Sequence, residues 1–159
     1  MSALQFLVHA DRSAITPAVL PPHLAALVWQ GEAMGHHQAH VVPSGHAALD
    51  AVLPDGGWPC QSLTEILQAQ AGLGEWRLLA PALARLVAQG GSVLLVGAPQ
   101  LPYLPALARE GVRPDRVIRI DVEGAAERLW ATEQALKAHC VTAVLSWLPQ
   151  ARAEQIRRL

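Results

Sequence analysis

Ser44-Gly45-x-x-x-Leu49-Asp50-x-x-Leu53-x-x-Gly56-Gly57-Trp58-Pro59, then Leu63-Thr64-Glu65-Ile66-Leu67, then Gly72-Leu73-Gly74-Glu75-Trp76, is the stretch that decides the fold. Residues 63–67 are a short apolar run bounded by turn formers and read as a strand. After the glycines, Trp76, Leu79, Leu83, Leu86 and Val87 recur at helical spacing. Strand, glycine-rich turn and helix in that order are the outline of a phosphate-cradling loop. Its sequence form is G-x-x-x-x-G-K-S/T: glycines let backbone N–H groups face phosphate, the lysine reaches the outer phosphates, and the hydroxyl holds Mg²⁺. The lysine and the hydroxyl are missing here. Gapless alignment puts Gly74 and Glu75 at those positions, and sliding by one puts Glu75 and Trp76 there. The chain's single lysine is Lys137, far downstream.

Glu75 also reverses the electrostatics. A helix N-terminus attracts anions with ~0.3–1 kcal/mol. A carboxylate about 4 Å from a phosphate oxygen opposes it with roughly 4 kcal/mol per unit charge at an effective dielectric near 20. Two further positions lack chemistry. After the apolar run Val93-Leu94-Leu95-Val96, where a carboxylate would polarise an attacking water, the chain reads Gly97-Ala98-Pro99-Gln100. At the end of the run Val141 to Leu145, where an aspartate would hold Mg²⁺, stand Ser146-Trp147. The sequence therefore predicts no ATP hydrolysis, no bound cofactor and no metal.

Working outward, the pattern from residue 44 alternates strand and helix. Val93–Val96 has the continuous hydrophobicity of a parallel strand buried on both faces. A proline-rich loop leads to a short helix ending near Gly111, and Val117–Ile120 is a third strand. Residues 125–138 form a long helix with Leu129, Trp130 and Leu136 inward, and 141–145 is a fourth strand. Pro81 interrupts the helix after the glycines, which either starts near Leu78 or kinks. Strands alternating with helices imply βαβ crossovers and a parallel sheet between helical layers. Ahead of this core, residues 1–43 read as an arm: a helix over about 22–34 opened by Pro21-Pro22, a linker from Gly35 to His40, and a short edge strand at Val41-Val42. The last helix, after Pro149, has barely begun at Leu159, as if the core continued further.

With 159 residues, 52% of them hydrophobic and 16% charged, the chain has ample material for one buried core. A net charge of −1 argues against strong autonomous binding of nucleic acid, which calls for a basic excess. Two cysteines are too few for a disulfide framework and fit a reducing, cytoplasmic setting. No signal-peptide pattern and no run of membrane-spanning length is visible in the sequence.

The Ser44–Pro59 pattern resembles the start of the RecA core, S/T-G-x-x-x-L-D-x-x-L-x-x-G-G-x-P, with Thr64-Glu65-Ile66 fitting the strand that follows. Three stretches look more specifically like the ImuA family of translesion-synthesis accessory proteins. They are Gly56-Gly57-Trp58-Pro59 with Leu63–Leu67, Gly72-x-Gly74-Glu75-Trp76-Arg77-Leu78-Leu79-x-Pro81-Ala82-Leu83-Ala84, and Glu127-Arg128-Leu129-Trp130-Ala131-x-Glu133-Gln134-Ala135-Leu136. The SulA division inhibitors share part of the last. The resemblance implies a three-layer α/β/α RecA-like P-loop fold with at least four parallel strands. It also implies a cytoplasmic role in DNA-damage-induced mutagenesis beside RecA, or beside the polymerase-like ImuB and an error-prone polymerase. A SulA-like inhibitor of the division protein FtsZ and a weakly ATP-binding protein remain the alternatives.

The other side chains with chemical potential have ordinary readings. His36, His37 and His40 are solvated linker histidines, with no cysteine or acid to complete a zinc site. His46 is a surface residue on a turn, and Glu65 is a strand-end acid bonded to a neighbouring loop. Trp29 and Trp130 belong to the core, whereas Trp58, Trp76 and Trp147 fill the space a nucleotide would take. Arg113, Arg116 and Arg119 form a solvated rim. Candidate partner contacts are Leu24, Leu27 and Val28 on the arm, which would pack on a neighbouring copy or on RecA, with folding back on its own core as the alternative, and Arg157 and Arg158 at the chain's end.

Overall fold

The computed structural model describes residues 40–72 and 74–159. The arm helix with Leu24, Leu27 and Val28, together with Trp29, His36 and His37, lies outside the described residues.

The core is a three-stranded parallel sheet of β3 (Val93–Val96), β4 (Val117–Ile120) and β5 (Ala143–Ser146), in the order β4-β3-β5. Register is set by Val93 opposite both Val117 and Ala143, and by Val96 opposite Ile120 and Ser146. All four residues of β3 are buried, as a strand paired on both sides and covered on both faces must be. One face carries Val93 and Leu95. It packs with Leu145 and Trp147 against Ala80, Leu83 and Val87 of helix α2 (Glu75–Ala88) and Leu107 of α3 (Leu104–Arg109). The other face carries Leu94 and Val96 against Ala131 and Ala135 of α4 (Ala125–Ala138). The described residues thus form a mixed α/β structure with helices packed on both faces of a parallel sheet, the class that the alternation predicts.

Before the sheet, β1 (Val41–Val42) pairs antiparallel with β2 (Trp58–Pro59), so the edge strand expected at Val41-Val42 is present. Between them lies the one-turn helix α1 (Ala47–Asp50). The strand expected at Leu63–Leu67 is not: only Leu67 makes an isolated bridge, and Leu63 and Leu67 are exposed. The described parallel sheet therefore has three strands where at least four were expected. An apolar run becomes a strand only where a neighbour supplies a ladder of partners, and here pairing stops after one residue.

Two side chains expected inside α4 point outward. Trp130 is 63% exposed and Leu136 is 37% exposed, and the sheet is met instead by Ala131, Thr132 and Ala135. Small residues let the helix approach the sheet closely, and at 100° per residue the neighbouring position Trp130 is turned away. Past Pro149 the chain forms only the short α5 (Ala153–Ile156). No helix among the described residues is long and apolar enough to cross a membrane.

Candidate functional site at the start of helix α2

The Ser44-Gly45-x-x-x-Leu49-Asp50 segment closes on itself. The Asp50 carboxylate accepts from the Ser44 N–H at 2.8 Å, and the Ser44 hydroxyl accepts from the His46 N–H at 3.0 Å. Hydrogen bonds from the Ser44 hydroxyl and then its N–H, with Arg85 and His46 nearby, hold the Asp50 carboxyl below its ordinary value. Gly45 is needed because its φ is +83° and a Cβ there would lie 2.4 Å from Cβ of Pro81.

That close approach explains Pro81. Helix α2 begins at Glu75, not near Leu78, and runs through the proline. Pro81 has no N–H, so the carbonyl of Arg77, four residues back, loses its helical donor. His46 fills the vacancy: its Nε2 lies 3.1 Å from the Arg77 carbonyl oxygen, with the Nε2–H tautomer donating. His46 is exposed, as the sequence predicts, and in addition it repairs the helix and ties the preceding loop to it. Replacing His46 by Phe is expected to cost about 1 kcal/mol. The same change in a Pro81→Ala background, where residue 81 regains its N–H, is expected to cost almost nothing. A double-mutant cycle in urea checks this.

At the N-terminus of α2 the cap residue is Gly74, which has no side chain to cap with. Glu75 does the capping. Its carboxylate accepts from the Gly72 N–H at 2.6 Å and from the Gly74 N–H at 3.1 Å, and the residue is 1% exposed. The backbone N–H groups that would face a phosphate therefore face a side-chain anion. Gln100, from the loop after β3, lies over Gly72, with its Cδ 3.1 Å from where a Cβ would stand.

Beside this turn, the indoles of Trp76 and Trp147 meet with ring centroids 6.1 Å apart and planes tilted by 44°. Trp147 is 2% exposed, and its Nε1 has no acceptor among the described residues. Trp58 is not in this group, since it belongs to β2 opposite Val42. Ser146 turns to the other face, where its hydroxyl meets that of Thr132 at 2.6 Å, and Thr132 also donates to the Arg128 carbonyl.

Glu65 departs from its expected bonded state: its Oε1 is buried without a hydrogen-bond partner among the described residues, and desolvation raises its carboxyl above the ordinary value. A raised folded value means that stability present in acid is lost as pH rises through that value. Glu65→Gln is expected to match the wild type below the ordinary glutamate range and to be the more stable protein at neutral pH, as thermal melts at several pH values would show.

The remaining candidates are dispersed. Arg113 pairs with Asp115 and Arg119 with Asp121, while Arg116 donates to the Gly90 carbonyl, which is a solvated rim. Arg157 and Arg158 are exposed at the end of α5, away from the Glu75 turn in sequence and in secondary structure. His40 is exposed, and among the described residues no group of three His, Cys, Asp or Glu could hold a metal ion.

Sequence reasoning overlooked Arg128. It reaches from α4 across the carboxyl ends of all three strands. Its Nε donates to the Val122 carbonyl at 2.9 Å, its Nη1 donates to the Trp147 carbonyl at 3.4 Å, and its stem lies over Gly97. A Cβ at Gly97 would stand 2.6 Å from Arg128 Nε. The signal was a glycine ending β3 and an arginine within an otherwise small-residue helix face. No family model matches the chain, and no curated protein aligns with it significantly.

Proposed function

We propose that the chain is a RecA-like protein without catalysis, similar to the ImuA family, that serves DNA-damage-induced translesion synthesis through protein contacts in the cytoplasm. The observation that carries this reading is the Glu75 carboxylate seated on the Gly72 and Gly74 N–H groups. A triphosphate would have to displace a buried anion from its hydrogen bonds and would find neither a lysine nor a hydroxyl to replace them. The order β3, proline-rich loop with α3, β4, α4, β5 is compatible with the RecA-like architecture that the motif implies, and the Trp76–Trp147 pair takes up space next to the same turn. Partners in this reading are RecA, or ImuB with its error-prone polymerase.

A second reading draws support from Trp130. The helix that resembles the SulA inhibitors holds this indole 63% exposed, a large apolar surface of the kind that anchors protein interfaces. Pull-downs of the tagged chain against purified RecA, ImuB and FtsZ separate the two. Retention of FtsZ alone, weakened by Trp130→Ala, would replace the mutagenesis role with the division role. Calorimetry with ATP and Mg²⁺ is expected to give no heat of binding, and micromolar affinity would overturn the non-catalytic reading.

A further inference from the structure

The switch in strand order sits at β3: the chain leaves β3 for β4 on one side and returns past it to β5 on the other. In open α/β sheets the crevice outside the carboxyl ends of the strands at such a point is where ligands bind. Here a cleft of about 510 Å³ opens past the carboxyl ends of β4 and β5, the two strands that flank β3, between the first turns of α4 and the segment 148–155. It is separate from the Glu75 turn.

Its lining is divided by chemistry. Leu129 and Leu148 offer an apolar wall, while Arg128 and Arg152 bring two guanidinium groups. Arg128 is already held by the Val122 and Trp147 carbonyls, so little side-chain freedom is lost when its remaining N–H groups meet an acceptor. The Gln155 amide oxygen accepts from the Arg152 N–H at 2.9 Å, which leaves its NH₂ group to donate. Glu123, also in the lining, can only accept hydrogen bonds when ionised.

We propose that this cleft docks an acidic peptide segment of a partner protein, with a carboxylate on Arg152 and Arg128 and the neighbouring apolar side chain against Leu129 and Leu148. Charge complementarity selects the occupant. A lone carboxylate suits two guanidiniums, Glu123 accepts a peptide N–H, and Gln155 donates to a peptide carbonyl. A phosphate-rich ligand would bring its larger negative charge against Glu123, and half the wall would offer it nothing. The inference rests on the reading of the chain as one that acts by protein contacts, but not on which partner it meets.

Fluorescein-labelled, C-terminally amidated peptides of sequence Ser-Gly-Asp-X-Gly-Gly, with Leu, Phe or Trp at X, test this by anisotropy on the full chain. Copies with Asn in place of the Asp serve as controls. At least one acidic peptide is expected to bind in the micromolar range, its neutral copy about tenfold more weakly. Arg152→Glu, an exposed change, is expected to lower affinity about tenfold, and Ala126→Trp to block the cleft without touching the core. Failure of all three acidic peptides, equal binding of the neutral copies, or unchanged binding by Arg152→Glu would overturn the proposal. A single-stranded oligonucleotide that binds the wild type and is lost in Arg152→Glu would assign the cleft to nucleic acid instead. Peptide binding without retention of RecA, ImuB or FtsZ would retire the proposed role and leave the cleft. Undiminished partner retention by Arg152→Glu would do the reverse.

Discussion

Glu75→Ala is expected to destabilise the fold by about 3 kcal/mol and, in the same stroke, to make it responsive to inorganic phosphate. The carboxylate satisfies two backbone N–H groups, those of Gly72 and Gly74, at a position sealed from water. Alanine leaves both donors without a partner, and hydrogen bonds to a charged acceptor are worth about 1.5–3 kcal/mol each. What remains is an empty ring of N–H groups at a helix N-terminus, which a tetrahedral oxyanion can enter. The melting temperature of the variant should therefore climb with phosphate or sulfate, approaching a gain of about 2.7 kcal/mol at a hundredfold excess over the dissociation constant. The wild type should not move beyond a chloride control of equal ionic strength. Glu75→Gln, which keeps one acceptor oxygen, should fall between the two in stability and show no phosphate response. Identical flat curves for all three proteins would mean that these N–H groups form no cradle, and the electrostatic argument against nucleotide binding would lose its footing.

Trp147→Ala is the substitution expected to cost most in stability. The side chain is almost fully enclosed and joins the cluster of Val93, Leu95, Leu83 and Leu145 while packing on Trp76. Truncating a buried tryptophan costs about 3–5 kcal/mol, a large part of the 5–15 kcal/mol typical of a domain. The companion change Trp147→Phe should be far milder, on the order of 1–2 kcal/mol, because the indole N–H has no acceptor among the described residues and only volume is lost. Urea denaturation of both variants checks the contrast. A phenylalanine as damaging as alanine would show that the N–H has a partner after all.

Much of the fold was legible because its signals were local. Val93–Val96 declares itself by four apolar residues in a row, and the helix over 125–138 and the strand over 117–120 fall where their patterns put them. The failures came where the outcome depended on neighbours. Leu63–Leu67 has strand composition but lacks a run of partners, and the orientation of Trp130 depends on how closely α4 approaches the sheet. At the candidate site, the presence of a carboxylate at the helix start could be read from the sequence, whereas its two donors could be read only from geometry. The repair of Pro81 by His46 was not legible at all, since the two residues are 35 positions apart in numbering and neither carries a motif. Arg128 escaped for a similar reason: in the sequence it is one more charge on a mixed helix.

The burial of β3 on both faces has a dynamic corollary. Its amides sit between two strands and beneath two helical layers, so no partial opening of α2 or α4 alone frees them for exchange with solvent. Deuterium uptake at Val93–Val96 should report only global unfolding. Those few amides can therefore serve as an internal gauge of how much each substitution, or a docked peptide, shifts the free energy of the whole domain.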